Sequence, residues 1–136
     1  MRAWITGGSY TQMGALRSNL ESLDSAAQQF ASDAGNGDVP PSDVSAVQNA
    51  AADLQADAQE LGSDVAPACA AGMRADVSQA AADYQEVAID ADNAMGQYSA
   101  GAYSSAVSDL HAATAATDDG AAELSAATAA AKRFYN

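Results

Sequence analysis

The chain is poor in almost everything that builds a reactive centre. Among its 136 residues are one cysteine, Cys69, one histidine, His111, and one lysine, Lys132. A lone cysteine excludes an internal disulfide and leaves the redox compartment open. Cys69 and Met73 share a helical face at i,i+4, yet a copper or haem site needs more sulfur or imidazole ligands than these two and His111 supply. All three read as ordinary packing residues, and no cofactor is expected. Nucleophilic catalysis needs a base beside a Ser, Thr or Cys, and a single histidine on a helix flank with no glycine-bounded elbow does not provide one. Phosphate-cradling loops of the GxGxxG or GxxxxGK type are absent. An enzyme is therefore not expected.

Positive charge is equally scarce. Arg2, Arg17, Arg74, Lys132 and Arg133 are scattered among eighteen acids, for a formal charge of −13. Nucleic-acid and anionic-membrane binding both require clustered Lys and Arg, so neither is expected. No stretch approaches the ~20 apolar residues of a membrane span. MRAWITGG is too short and too glycine-rich for a signal peptide. Aromatic residues are 6% of the chain and β-branched residues are few, whereas alanine, the strongest helix former, makes up about a quarter. That balance points to an all-α fold.

What is present is a three-four apolar period. Residues 1–9, MRAWITGGS, lack it and read as a flexible lead-in, in which Trp4 and Ile5 can still pack on the domain. Residues 10–136 read as one domain. Met13, Leu16, Leu20, Leu23, Ala27, Phe30 and Ala34 place a first helix over about residues 10–33. DAGNGDVPPSD, 33–43, is a loop, after which Ser42 or Asp43 caps a second helix through Val44, Val47, Ala51, Leu54, Ala58 and Leu61. Pro67 cannot sit deep in a helix. A break with Asp64 as the next cap is the expectation; one helix kinked at Pro67, its seam running on through Val65 and Cys69, is the alternative. The third helix follows Met73, Val77, Ala80, Tyr84, Val87, Ala91, Ala94 and Tyr98. After Ser99-Ala100-Gly101 the fourth follows Tyr103, Val107, Leu110, Thr114, Thr117, Ala121, Leu124, Thr128, Ala131 and Tyr135, unbroken by Gly120.

Short connections make consecutive helices antiparallel neighbours, so an up-down-up-down four-helix bundle is expected, with helices 3 and 4 longer than 1 and 2. Residues 112–131 carry only Leu124 as a large apolar side chain. There the helices must approach closely, or a second copy of the chain or another partner must fill the space.

A second period runs one residue ahead of the first. Asp53, Asp57, Glu60 and Asp64 each precede an apolar position, as do Asp76, Asp83, Glu86 and Asp90, and then Asp109 and Glu123. Like charges at i,i+4 repel by a few tenths of a kcal/mol, about 0.2–0.5. This register is either a solvated flank or a dock for a basic partner, for which Asp53, Asp57, Glu60, Asp64, Asp76 and Asp83 are the candidates. DADNAM, 90–95, has Met95 where a calcium loop needs glycine, and DAGNGD, 33–38, misplaces its glycines, which leaves at most a weak cation site at Asp33, Asn36 and Asp38. No metal centre is expected. Tyr84, Tyr98, Tyr103 and His111 are candidates for lining a small pocket between helices, which would make the protein a ligand or metal carrier. A more remote reading is a nucleic-acid mimic.

Two resemblances are carried by residues. GQYSAGAYSSAV, 96–107, resembles the G-x-Y-x-x-A turn of a tetratricopeptide repeat at Gly101, Tyr103 and Ala106, and with a single copy implies an αα-hairpin only. The Ala/Asp-rich, lysine-poor helices look like small exported or lipid-anchored helical proteins of high-GC Gram-positive bacteria. That resemblance implies an extracytoplasmic location, reached through an export segment upstream; without one the chain is cytoplasmic. The expected function is protein–protein contact by a non-enzymatic acidic bundle.

Overall fold

The computed structural model describes residues 10–63 and 71–135. They form four helices: α1 (Tyr10–Asn36), α2 (Pro41–Ser63), α3 (Ala71–Ser99) and α4 (Tyr103–Tyr135). There is no strand among the described residues. The lead-in with Trp4, the Asp64 cap, the Pro67 break and Cys69 lie outside them.

Each helix packs on its neighbour in the chain, and α1 also meets α4, which closes a four-sided bundle. The α3–α4 contact is the most extensive of the four and the α1–α4 closure the least. Partner positions fall on one helix as they rise on the other. Gln97 meets Asp109, Tyr84 meets Gly120, and Asp83 meets Glu123, so α3 and α4 are antiparallel. Gln12 and Asn19 meet Glu60 and Asp57 in the same sense across α1–α2. The expected four-helix bundle is the observed one. Helices α3 and α4, with 29 and 33 residues, are longer than α1 and α2, with 27 and 23.

Both described turns owe their geometry to a glycine. Gly37 (φ 79°) and Gly101 (φ 86°) adopt the left-handed conformation that a side chain disfavours. At each, the glycine N–H and the next N–H donate back to the last helical turn: Gly37 to Ala34 O and Asp38 to Asp33 O, then Gly101 to Tyr98 O and Ala102 to Gln97 O. This pattern satisfies carbonyls that a helix end leaves bare. Because Gly37 can take that role, α1 continues through Gly35 and Asn36, three residues past the expected end at 33. Pro41, which has no N–H to lose, opens α2. Ser42 and Asp43 therefore lie inside the first turn rather than capping it.

The core follows the apolar period in α1 and α2: Met13, Leu16, Leu20, Leu23, Ala27 and Phe30 face Val47, Ala51, Leu54, Ala58 and Leu61. α3 buries a wider stripe, adding Ala81, Ala88 and Met95 to the expected set. α4 departs from expectation. Leu110, Thr117 and Leu124 are buried, but the other buried positions are Ala106, Ala113, Gly120 and Ala127, in place of Val107, Thr114, Ala121 and Thr128. Tyr103, placed on the seam by its spacing, is 59% exposed.

The reason for the rotated seam is bulk across the interface. Tyr84 is fully buried and its ring lies over Gly120, where an added Cβ would stand 2.9 Å from Cε1. Only the smallest residues of α4 can face it. Hydroxyls on this helix are satisfied locally: Thr117 donates to Thr114 O at 2.5 Å and Thr128 to Leu124 O at 2.8 Å. A threonine can thus be buried without a polar partner on another helix.

Candidate functional site

The α3–α4 groove widens next to the turn that joins the two helices. Asp90, Asn93, Gly96, Gln97, Ala100, Asp109 and Ala112 line an open recess of about 640 Å³, with Gln97 and Asp109 half-buried and the other five exposed. Small side chains create the space by failing to fill it. Gln97 Nε2 donates to Asp109 Oδ2 at 2.7 Å, which leaves Gln97 Oε1 buried with no donor. Two carboxylates line the recess, and the Gln97 carbonyl oxygen beside them is closed off from solvent. Acceptors dominate it, and a ligand rich in N–H donors and positive charge is what it can hold.

The six acids of the expected docking flank do not form one surface. Glu60 accepts from Gln12 at 2.6 Å and Asp57 accepts from Asn19, so both border the α1–α2 groove, with Asp53 exposed on the same helix. Burial, with Glu60 and Asp53 close by, pushes the Asp57 carboxyl above its ordinary value against the pull of Asn19. Asp76 and Asp83 lie instead along the α3–α4 groove, where Asp83 touches Glu123. In a four-sided bundle these two grooves are on opposite sides. Asp64 lies outside the described residues.

Of the four candidates for an aromatic pocket, Tyr98 and Tyr103 meet, whereas Tyr84 and His111 lie apart from them. Tyr98 packs edge-on against Phe30 with ring centroids 5.1 Å apart, and tilted against Tyr103, also at 5.1 Å, which closes the bundle end beside the turn. Tyr84 sits fourteen residues from Tyr98 along α3, about 21 Å at the helical rise, and His111 is exposed. The Tyr84 hydroxyl is buried without a partner. Burial, then the nearby Glu123 charge, pushes this phenol up to about 12.

Carboxyls also meet carboxyls. The Asp33 carboxyl, at the end of α1, lies against that of Asp43 in the first turn of α2, and Asp83 of α3 against Glu123 of α4. Gln29 and Asp43 hold the Asp33 carboxyl below its ordinary value, whereas Asp43 is raised by Asp33 and by burial. Glu123 is raised first by its contact with Asp83, then by burial and by the charges of Asp83, Asp119 and Asp76. The expected weak cation position at Asp33 is thus occupied by contacts to Gln29 and Asp43. Among the described residues no three His, Cys, Asp or Glu side chains converge as metal ligands.

The acidic register had marked Asp90 and Asp109 but not Gln97 and Asn93, whose i,i+4 spacing beside Gly96 is the signal that a polar recess existed. Comparison with family models, curated proteins and solved structures finds no match for this chain. None of its described helices is long and apolar enough to cross a membrane.

Proposed function

We propose that this protein is a non-enzymatic acidic helical bundle that acts by protein–protein contact, and that the recess between α3 and α4 receives a basic side chain of its partner. The observation that carries the reading is the inventory of the recess: the carboxylates Asp90 and Asp109 beside the small residues Gly96, Ala100 and Ala112. A guanidinium matches it, because its five N–H donors can serve two carboxylates at once. The overall charge of −13 adds a field that draws a basic partner in from a distance. An extracytoplasmic place of action belongs to the same proposal and rests on the Ala/Asp-rich, lysine-poor composition.

The test separates the recess from the general charge. A nona-arginine peptide is titrated into the wild type, into Asp90→Asn/Asp109→Asn, and into Asp53→Asn/Glu60→Gln, which loses the same charge from the α1–α2 edge. The recess variant is expected to bind about tenfold more weakly than the edge variant, a difference of about 1.4 kcal/mol. Equal losses in the two variants, or no binding by the wild type, would defeat the proposal.

A further inference from the structure

We propose that the bundle is latched by shared protons, one across the α1–α2 hairpin at Asp33–Asp43 and one across α3–α4 at Asp83–Glu123, so that it tightens as the surroundings become mildly acidic. The inference stands on contact chemistry. Two ionised carboxylates are acceptors only, and facing each other they have nothing to exchange. One added proton turns the same contact into a short, charge-assisted hydrogen bond. Among the described residues, the buried carboxylate oxygens that lack a donor are Asp43 Oδ2 and Glu123 Oε2, one in each pair. The two atoms left bare in the ionised state are therefore in the two places where a proton would be shared.

The surroundings favour protonation. Around Asp83–Glu123 the charged neighbours are Asp76 from α3 and Asp119 from α4, both negative. The Gln79 amide donates to Asp83 Oδ1 at 2.9 Å, which marks Asp83 as the acceptor and Glu123 as the proton carrier. Tyr84 lies beside them with its hydroxyl unpartnered, and the cation acting on it, Arg17 of α1, is itself paired with Glu21 at 3.4 Å. At the other hairpin, Gln29 donates to Asp33 Oδ2 at 2.8 Å, so Asp33 accepts and Asp43 carries the proton. The other carboxyl and imidazole groups on the segments at this end are Asp38 of the turn, Asp92 and His111, which are exposed, and Asp90 and Asp109, which line the recess.

The direction follows from linkage. Asp43, Asp57 and Glu123 have raised values, so their contribution is full below the ordinary carboxylate range and is lost as pH rises through the folded values. Asp33 is lowered and contributes the opposite way, present above the ordinary range and lost as pH falls through its folded value. Stability therefore climbs from neutrality into the upper carboxylate range and turns over below it.

Thermal unfolding at about pH 5 and about pH 7.5 tests this, with Glu123→Gln as the main variant because an amide donates the hydrogen bond without a proton. The wild type should melt higher at the acidic pH. Glu123→Gln should melt about 2–5 °C above the wild type at the neutral pH, with a narrower gap between the two conditions. Asp119→Asn removes one of the charges that raise Glu123 but leaves the shared proton in place, and should narrow the gap much less than Glu123→Gln does. Independently, carboxyl NMR should show Glu123 titrating above the ordinary glutamate range in the wild type and falling toward it in Asp83→Asn. An unchanged gap in Glu123→Gln, an equal narrowing in Asp119→Asn, or an ordinary Glu123 titration would overturn the latch.

Discussion

The two hairpins of this bundle share a period and differ in what the period is made of. α1 and α2 meet through large side chains, Leu16, Leu20, Leu23 and Phe30 against Val47, Leu54 and Leu61, with Asn19–Asp57 and Gln12–Glu60 bonds along the edge. The buried faces of α3 and α4 are richer in small residues, Ala80, Ala91 and Ala94 on one and Ala106, Ala113, Gly120 and Ala127 on the other, beside Val87, Met95, Leu110 and Leu124, with one large ring, Tyr84, set into the notch at Gly120. The first hairpin is held by buried area. The second is held by close approach, and where the approach loosens, beside the turn, it leaves the acidic recess.

If that contrast is right, truncating a large side chain should hurt the first hairpin most. Phe30→Ala removes a fully buried ring and its edge-on contact with Tyr98, and should cost about 3–5 kcal/mol in urea unfolding. The second hairpin should fail in the opposite way, by enlargement. Gly120→Ala gains about 1 kcal/mol of helix propensity but drives a methyl into the Tyr84 ring, so a net loss of about 1–2 kcal/mol is expected from overpacking. Gly62→Ala is its counterpart at the α2–α3 interface. There the new Cβ would meet Ala81 Cβ at 3.5 Å, an ordinary contact, and the same substitution should stabilise by about 0.5–1 kcal/mol. Equal signs at the two glycines would break the comparison. The smallest effect is expected for Tyr84→Phe: deleting a hydroxyl that has no partner should leave stability within about 0.5 kcal/mol or raise it, since no hydrogen bond is lost.

How much of this could be read from the chain depended on contrast in size and polarity. In α1 and α2 the seam alternates Leu, Phe or Val with Ser, Gln and Asp, and spacing alone places every buried residue. In α4 the choices at neighbouring positions are Ala against Thr, or Gly against Ala, which hardly differ in hydrophobicity. Spacing therefore selected the slightly larger Val107 and Thr114, whereas the ring across the groove selects the smaller Ala106 and Ala113. The end of α1 was misjudged for a related reason: Gly35 and Asn36 are weak helix formers, but the left-handed residue that stops the helix is Gly37. The acidic register was visible as a period, but its division between two opposite grooves depends on which helices are neighbours. Contacts between carboxyls on different helices, such as Asp83–Glu123, depend on interhelical register, which no single helix encodes.

The proposed binding surface lies on the small-residue hairpin and not on the leucine-rich one. The most direct measurement is an amide NMR titration of the isotope-labelled protein with the nona-arginine peptide. The prediction is that shifts concentrate at Asn93, Gly96, Gln97, Ala100 and Ala112, and vanish in Asp90→Asn/Asp109→Asn. Shifts centred on Asn19, Asp53, Asp57 and Glu60, or spread evenly over every acidic stretch, would contradict it.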